Sequence, residues 1–294
     1  MSGVDEAYKR LAVMVFGGVA DLTMENFRPI KPHLVMANIK VLLKTWIAII
    51  FFTSLLVLIG SFVAIVVIFL VFGLPLLEMI YIVAFVPFIA ASVTFVFFYL
   101  YPIQKSKSLE REIDNDLPFA LAHMSAIASS GIPPEFMFEL LTGFKEYGPI
   151  SQEAEVIVRN INTFGMSSVT AIGNVAAKTP SSTFRETLSG IVSTIEKGGN
   201  LSSYLNQMSE KSLFDYRIKR EKYLKTLGIY ADIYTALLVA APLMMLSVLG
   251  VMGIIGGDVL GLTVQDIIYL VTWFALPVMN IVFLAFIHIT YPGV

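Results

Sequence analysis

Residues 46–72 read WIAIIFFTSLLVLIGSFVAIVVIFLVF, a run without one charged side chain. Roughly 20 apolar residues cross the hydrocarbon core of a bilayer, so this stretch can span with tilt or begin within the interface. Three further runs resemble it: Leu76 to Tyr101, Gly228 to Ile255 and Ile267 to Thr290. Gly73 and Pro75 read as a tight turn between the first two, while Tyr99, Tyr101 and Pro102 close the second as an interfacial belt. Composition agrees, with 56% hydrophobic and 14% charged residues, the balance of a membrane chain. The chain then divides into an amphipathic lead (1–45), a pair of spans (46–101), a polar block (102–226) and a second pair of spans (227–294). Tyr8, Leu11, Ala12 and Val15 recur at helical spacing in the lead, which suits a helix lying on the membrane surface or on the polar block. After Pro29 and Pro32, a second helix is expected from His33 through Lys40 and Lys44 into the first span.

Lysine and arginine set the orientation. Of the 20 such residues, six lie in the lead (Lys9, Arg10, Arg28, Lys31, Lys40, Lys44) and the rest in the polar block. The loops on the opposite side carry Glu78, Asp258 and Asp266 instead. The positive-inside rule places both termini and the block in the cytoplasm, with the spans in the cytoplasmic (inner) membrane. The polar, acidic start lacks the pattern of a secretory signal peptide. The expected fold class is an all-α membrane protein: four transmembrane helices, with a cytoplasmic bundle of about six helices inserted between spans two and three.

Within the block, punctuation separates the helices. The first continues span two from Ile103 to Ile113. Asn115 or Asp116 caps the next, with Pro118 in its first turn and Gly131 at its end. Pro133-Pro134 opens a helix whose Phe136, Met137, Leu140, Leu141 and Phe144 form an apolar stripe up to Gly148-Pro149. Ser151 starts another, ending at Gly165; Ser167 or Ser168 starts a short one, stopped by Pro180. Thr183 and Glu186 form a capping box for a helix ending at Gly198-Gly199, and Asn200 caps the last, which runs towards span three. No alternating run signals a strand within the block.

Little in the sequence points to chemistry. Without cysteine, disulfides and thiolate ligands are excluded. His33, His123 and His288 stand in separate segments, whereas a metal site needs converging ligands. Gly198-Gly199-Asn200 lacks the lysine and preceding strand of a phosphate loop. The reading is of a chain that is not an enzyme and has no catalytic residue, metal or cofactor. Acids and bases balance in the block, so nucleic acid is not expected. The basic run Arg217, Lys219, Arg220, Lys222 and Lys225 suits membrane lipid headgroups or an acidic partner. Asp232, about one turn into span three, and the mid-span Pro87, Pro242 and Pro277 support an alternative, a small membrane transporter or channel. Gly250, Gly253 and Gly256 form a small-residue stripe that permits close helix approach and self-association.

The block also carries a family pattern. Asp116-Leu117-Pro118-Phe119, Ser129-Ser130-Gly131-Ile132-Pro133, Leu140-Leu141, Tyr147-Gly148-Pro149-Ile150-Ser151, Thr179-Pro180-Ser181 and Glu196-Lys197-Gly198-Gly199-Asn200-Leu201 follow in order. Their arrangement resembles the archaeal branch of the type II secretion system F-domain family, strongest over residues 110–216. The family comprises inner-membrane platform proteins of archaella, type IV pili, Tad pili and type II secretion. The resemblance implies a non-enzymatic platform that binds a hexameric secretion ATPase through its helical domain and couples its cycle to assembly of pilin or archaellin-like subunits. Many members carry two such domains and this chain carries one, which implies a homo-oligomer or pairing with a sister platform protein. Under this resemblance the ATPase contacts Glu196, Lys197, Gly199 and Asn200 together with Gly131 to Glu135, with Gly131, Gly165 and Gly199 as bends between rods.

Overall fold

A computed structural model describes residues 3–72, 76–256, 258–259 and 262–290; the expected turn at Gly73 and Pro75 and the end at Tyr291–Val294 lie outside them. Among the described residues four helical runs are long and apolar enough to cross a membrane: Leu43–Val71, Ile82–Ser129, Leu201–Ile254 and Val264–His288. The chain forms two compact units, Met1–Ser212 and Leu213–Val294.

The first unit opens with α1 (Gly3–Thr23), α2 (Ile30–Met36) and α3 (Leu43–Phe72). The helix expected to run from His33 into the first span is broken. α2 begins earlier, accepting Pro32 in its first turn where no intrahelical N–H is needed, and stops at Ala37. Asn38 follows in the left-handed region at φ 53°, which asparagine tolerates better than most residues, and Lys40 falls in the link before α3. Ile47 and Ile50 of α3 are buried among α1, α2 and the α4 aromatics Phe95, Phe98 and Tyr99.

α4 (Leu76–Ser129) is one helix through Pro87, Pro102 and Pro118. The break expected between Ile113 and Asp116 does not occur. An interior proline removes one hydrogen bond and costs about 3 kcal/mol. Against that, Ile113, Leu117, Leu121 and Met124 recur along one face and are all buried, each worth about 1.5–3 kcal/mol. The face outweighs the punctuation.

Four shorter helices pack on this face: α5 (Pro134–Thr142), α6 (Gly148–Asn162), α7 (Ser168–Ala176) and α8 (Ser182–Glu196). The start of α9 (Leu201–Tyr234) completes the group. Phe138, Leu141, Ile150, Ile172, Phe184 and Leu205 contribute to its core. α5 is shorter than its apolar pattern, and a 3-10 turn at Lys145–Tyr147 leads to α6, which begins at Gly148 rather than Ser151. The N-cap of α8 is Ser181, whose Oγ accepts the Phe184 amide at 3.0 Å. The capping box starting at Thr183 is not used.

The second unit contains the remainder of α9, α10 (Ala241–Ile255), α11 (Val264–Leu270) and α12 (Leu276–Thr290). Two-residue strands β1 (Asp258–Val259) and β2 (Leu262–Thr263) pair antiparallel between α10 and α11. π-helical segments at Thr235–Ala240 and Val271–Ala275 join α9 to α10 and α11 to α12. Each precedes a proline, Pro242 or Pro277. A proline ring clashes with the carbonyl four residues back, here that of Leu238 or Trp273, and both carbonyls lie inside the widened turns. α9 and α12 are tied by Tyr234 Oη, which donates to Asn280 Oδ1 at 3.2 Å. Of the glycine stripe, Gly253 is where α10 and α11 come close: a Cβ there would sit 3.6 Å from Val264 Cγ1.

Candidate partner-binding site

Two turns that the sequence reading singled out, around Gly131 and around Asn200, come together at one end of the first unit. α4 stops at Ser129, and Gly131, at φ 76°, reverses the chain. That conformation suits glycine because a Cβ there would crowd the backbone. Pro134 then opens α5, and Glu135 in its first turn accepts a hydrogen bond from Ser168 Oγ. At the second turn, α8 ends in a Schellman motif: the Gly198 amide donates to Ile195 O (3.1 Å) and the Gly199 amide to Thr194 O (2.8 Å). The left-handed residue is Gly198, at φ 64°. The bend expected at Gly199 therefore sits one residue earlier. Asn200 caps α9, its Oδ1 accepting the Ser203 amide at 3.0 Å.

Ser129 and Ser202 share a hydrogen bond of 2.9 Å, and Ser125 Oγ donates to Asn206 Oδ1 at 3.4 Å. The end of α4 thus lies beside the start of α9. Glu196, Lys197, Gly199, Asn200 and Gly131 are exposed here, and Glu135 is half-buried. Arg217, Lys219, Arg220 and Lys222 are exposed as well but lie in the second unit, with Arg220 Nη1 donating to Tyr216 Oη at 3.0 Å.

The sequence reading placed Phe136 and Leu140 in one apolar stripe with Met137 and Leu141 and did not name them as partner-binding residues. Met137, Phe138 and Leu141 of α5 are buried, whereas Phe136 is 56% and Leu140 48% exposed. One turn apart, they share the outer face of α5, within one to two turns of Glu135. The signal was the apolar width of FMFELL: more hydrophobes than one helix face can bury.

A separate cavity of about 240 Å³ lies in the same unit, lined among others by Met36 of α2, Ile113 of α4, Glu153 of α6 and Thr179. Glu153 Oε2 and Thr179 Oγ1 are buried there without a hydrogen bond. Burial pushes the Glu153 carboxyl up to about 7; the nearby Thr179 hydroxyl pulls it down in part, although the pair falls short of hydrogen-bond geometry. Elsewhere, His123 is held by the Tyr147 hydroxyl and stacks on Phe144 with ring centres 4.9 Å apart.

Residues 120–249 match the family described as type II secretion system (T2SS), protein F. This is the family that the motif order resembled, and the match runs from residue 120, near the C-terminal end of α4, through the intervening helices and α9 into α10. An uncharacterized protein of Methanocaldococcus jannaschii is 27% identical over 135 residues, 46% of this chain and 23% of that protein. No solved structure matches. The matched residues include the end of α4, the short helices and α9, in a chain whose four long apolar helices suit a multi-pass membrane protein.

Proposed function

We propose that this F-domain chain is a membrane platform of a type IV filament or type II secretion-like machine. It binds a hexameric secretion ATPase and couples its cycle to the assembly of pilin or archaellin-like subunits. The match over residues 120–249 carries this reading, because it covers the end where the Gly131 and Asn200 turns meet. The helices between spans two and three form the cytoplasmic domain, and both termini are cytoplasmic, as the lysine and arginine distribution requires. The chain works as a scaffold in the inner membrane, as a homo-oligomer or beside a sister platform protein, and not as an enzyme.

The paired turns offer the ATPase a surface of mixed character: Phe136 and Leu140 for apolar contact, Glu196 and Lys197 for charge. Exposed aromatic anchors dominate protein contacts more often than charges at the rim. α4 then supplies a mechanical link. It is a single helix from Leu76 to Ser129, about 80 Å long at 1.5 Å per residue. A displacement at its Gly131 end therefore reaches the span residues along one hydrogen-bonded rod. The reading is tested with the full chain in nanodiscs and a hexameric secretion ATPase from the same host. Phe136→Asp and Lys197→Glu should each weaken co-purification while helicity by circular dichroism is unchanged. Full binding by both variants would assign the contact elsewhere, and no binding by the unaltered chain would overturn the coupling role.

A further inference from the structure

We propose that α1 is an interfacial membrane helix, with Leu11, Met14, Val15 and Leu22 facing the bilayer at the Trp46–Tyr101 end of the first two spans. The inference rests on the spans alone and does not depend on the platform reading.

α1 has three faces. One packs on α3: Tyr8 Oη and Thr53 Oγ1 share a hydrogen bond of 2.9 Å, Phe16 stacks on Phe51 with ring centres 6.0 Å apart, and Ala12 and Ala20 are fully buried. A narrow polar face carries Glu6 and Arg10, 3.9 Å apart, and Asp21, which binds Lys44 Nζ at 2.7 Å. The third holds Leu11, Met14, Val15 and Leu22, within an arc of about 100° at 100° per residue. Met14 is 84% and Leu22 87% exposed. From Leu11 to Ala20 no residue is charged, an expensive surface to leave in water.

The level at which α1 sits identifies the occupant. Trp46 stacks on Tyr101 of α4, ring centres 6.2 Å apart, and Trp and Tyr collect at the membrane–water boundary. Phe51, the partner of Phe16, packs on Phe95 at 5.5 Å. Through α3, α1 therefore lies at the level of the α4 segment from Phe95 to Tyr101, whose Val96, Phe97 and Leu100 are exposed apolar side chains of a candidate span. The exposed stripe of α1 thus stands at the same level as exposed apolar side chains of a span, where lipid is the surrounding medium. The contacts Asp21–Lys44 and Tyr8–Thr53 incline the helix, with Tyr8 beside deeper span residues and Asp21 towards the water. An amphipathic helix buried about 5–10 Å into the headgroup and acyl boundary has this character.

The chain has no cysteine, so single-cysteine variants report cleanly. Leu11→Cys, Met14→Cys and Leu22→Cys, and Glu146→Cys as a water-exposed reference, are labelled with an environment-sensitive fluorophore in the full chain. They are reconstituted in phosphatidylcholine–phosphatidylglycerol vesicles. The labels at positions 11 and 14 should be blue-shifted, quenched severalfold more by doxyl-labelled lipid than the reference, and shielded from iodide. Quenching by lipid should fall towards position 22. Iodide quenching at 11 and 14 equal to the reference would place the stripe in water and overturn the proposal. Shielding from both quenchers would show that protein covers it, and would overturn it equally.

Discussion

Glu153 offers the sharpest test of the first unit's interior. Its carboxyl, ordinarily near 4.5, is held at about 7 by burial. The folded state thus favours the protonated acid, and the unfolded chain releases the proton at lower pH. Stability from this group is fully present below about pH 4.5 and is lost as the pH rises through about 7. A difference of about 2.5 pH units corresponds to on the order of 3 kcal/mol at 1.36 kcal/mol per unit. Glu153→Gln keeps the shape and stays neutral, so it should match wild type at pH 4.5 and exceed it by on the order of 3 kcal/mol at pH 8. Urea unfolding of the full chain in detergent across this range reads the difference, and NMR of the Glu153 carboxyl carbon reads the titration directly. Parallel stability profiles for the two proteins, or a carboxyl midpoint near 4.5, would refute the reasoning. Such a result would mean that water or a cation, such as Lys178 or Arg159 at the cavity wall, solvates the charge.

Two other substitutions probe packing. A Cβ on Gly190 would collide with the phenol ring of Tyr204, 2.9 Å from Cε2, and displace the hydrogen bond from Tyr204 Oη to Thr187 O. Gly190→Ala should therefore destabilise by about 1–3 kcal/mol through overpacking. In a Tyr204→Ala background the same change should stabilise by up to about 1 kcal/mol through helix propensity, a sign reversal that a double-mutant cycle measures. In the second unit, Tyr234→Phe removes the bond to Asn280 and should cost about 0.6 kcal/mol, at most about 1.7, in the resistance of the purified second span pair to denaturing detergent.

Much of the candidate site was legible in the sequence. Gly131, Gly198 and Asn200 are residues whose backbone needs are local, so a helix stop or cap can be read without knowing what packs nearby. The basic run Arg217–Lys222 was equally visible, since charge density is read from composition alone. Phe136 and Leu140 could not be assigned in advance. Five apolar residues in FMFELL can present several faces inward, and only the neighbours α4 and α6 select Met137, Phe138 and Leu141.

The sequence by itself determined the helical class, the four apolar runs and the order of motifs that resembles the family matched over residues 120–249. Each follows from composition or from interactions within a few residues. Tertiary structure decided what depends on distant partners. It kept α4 unbroken through Pro118, because a buried face outweighs one lost hydrogen bond. It ended α2 at Ala37, beside α3, and moved the α8 cap to Ser181. It also buried Glu153 where its charge is unwelcome and brought the turns at Gly131 and Asn200 together. Local signals give the energy of a turn or cap, about 1 kcal/mol each; burial of a helix face supplies several times that, and prevails where the two disagree.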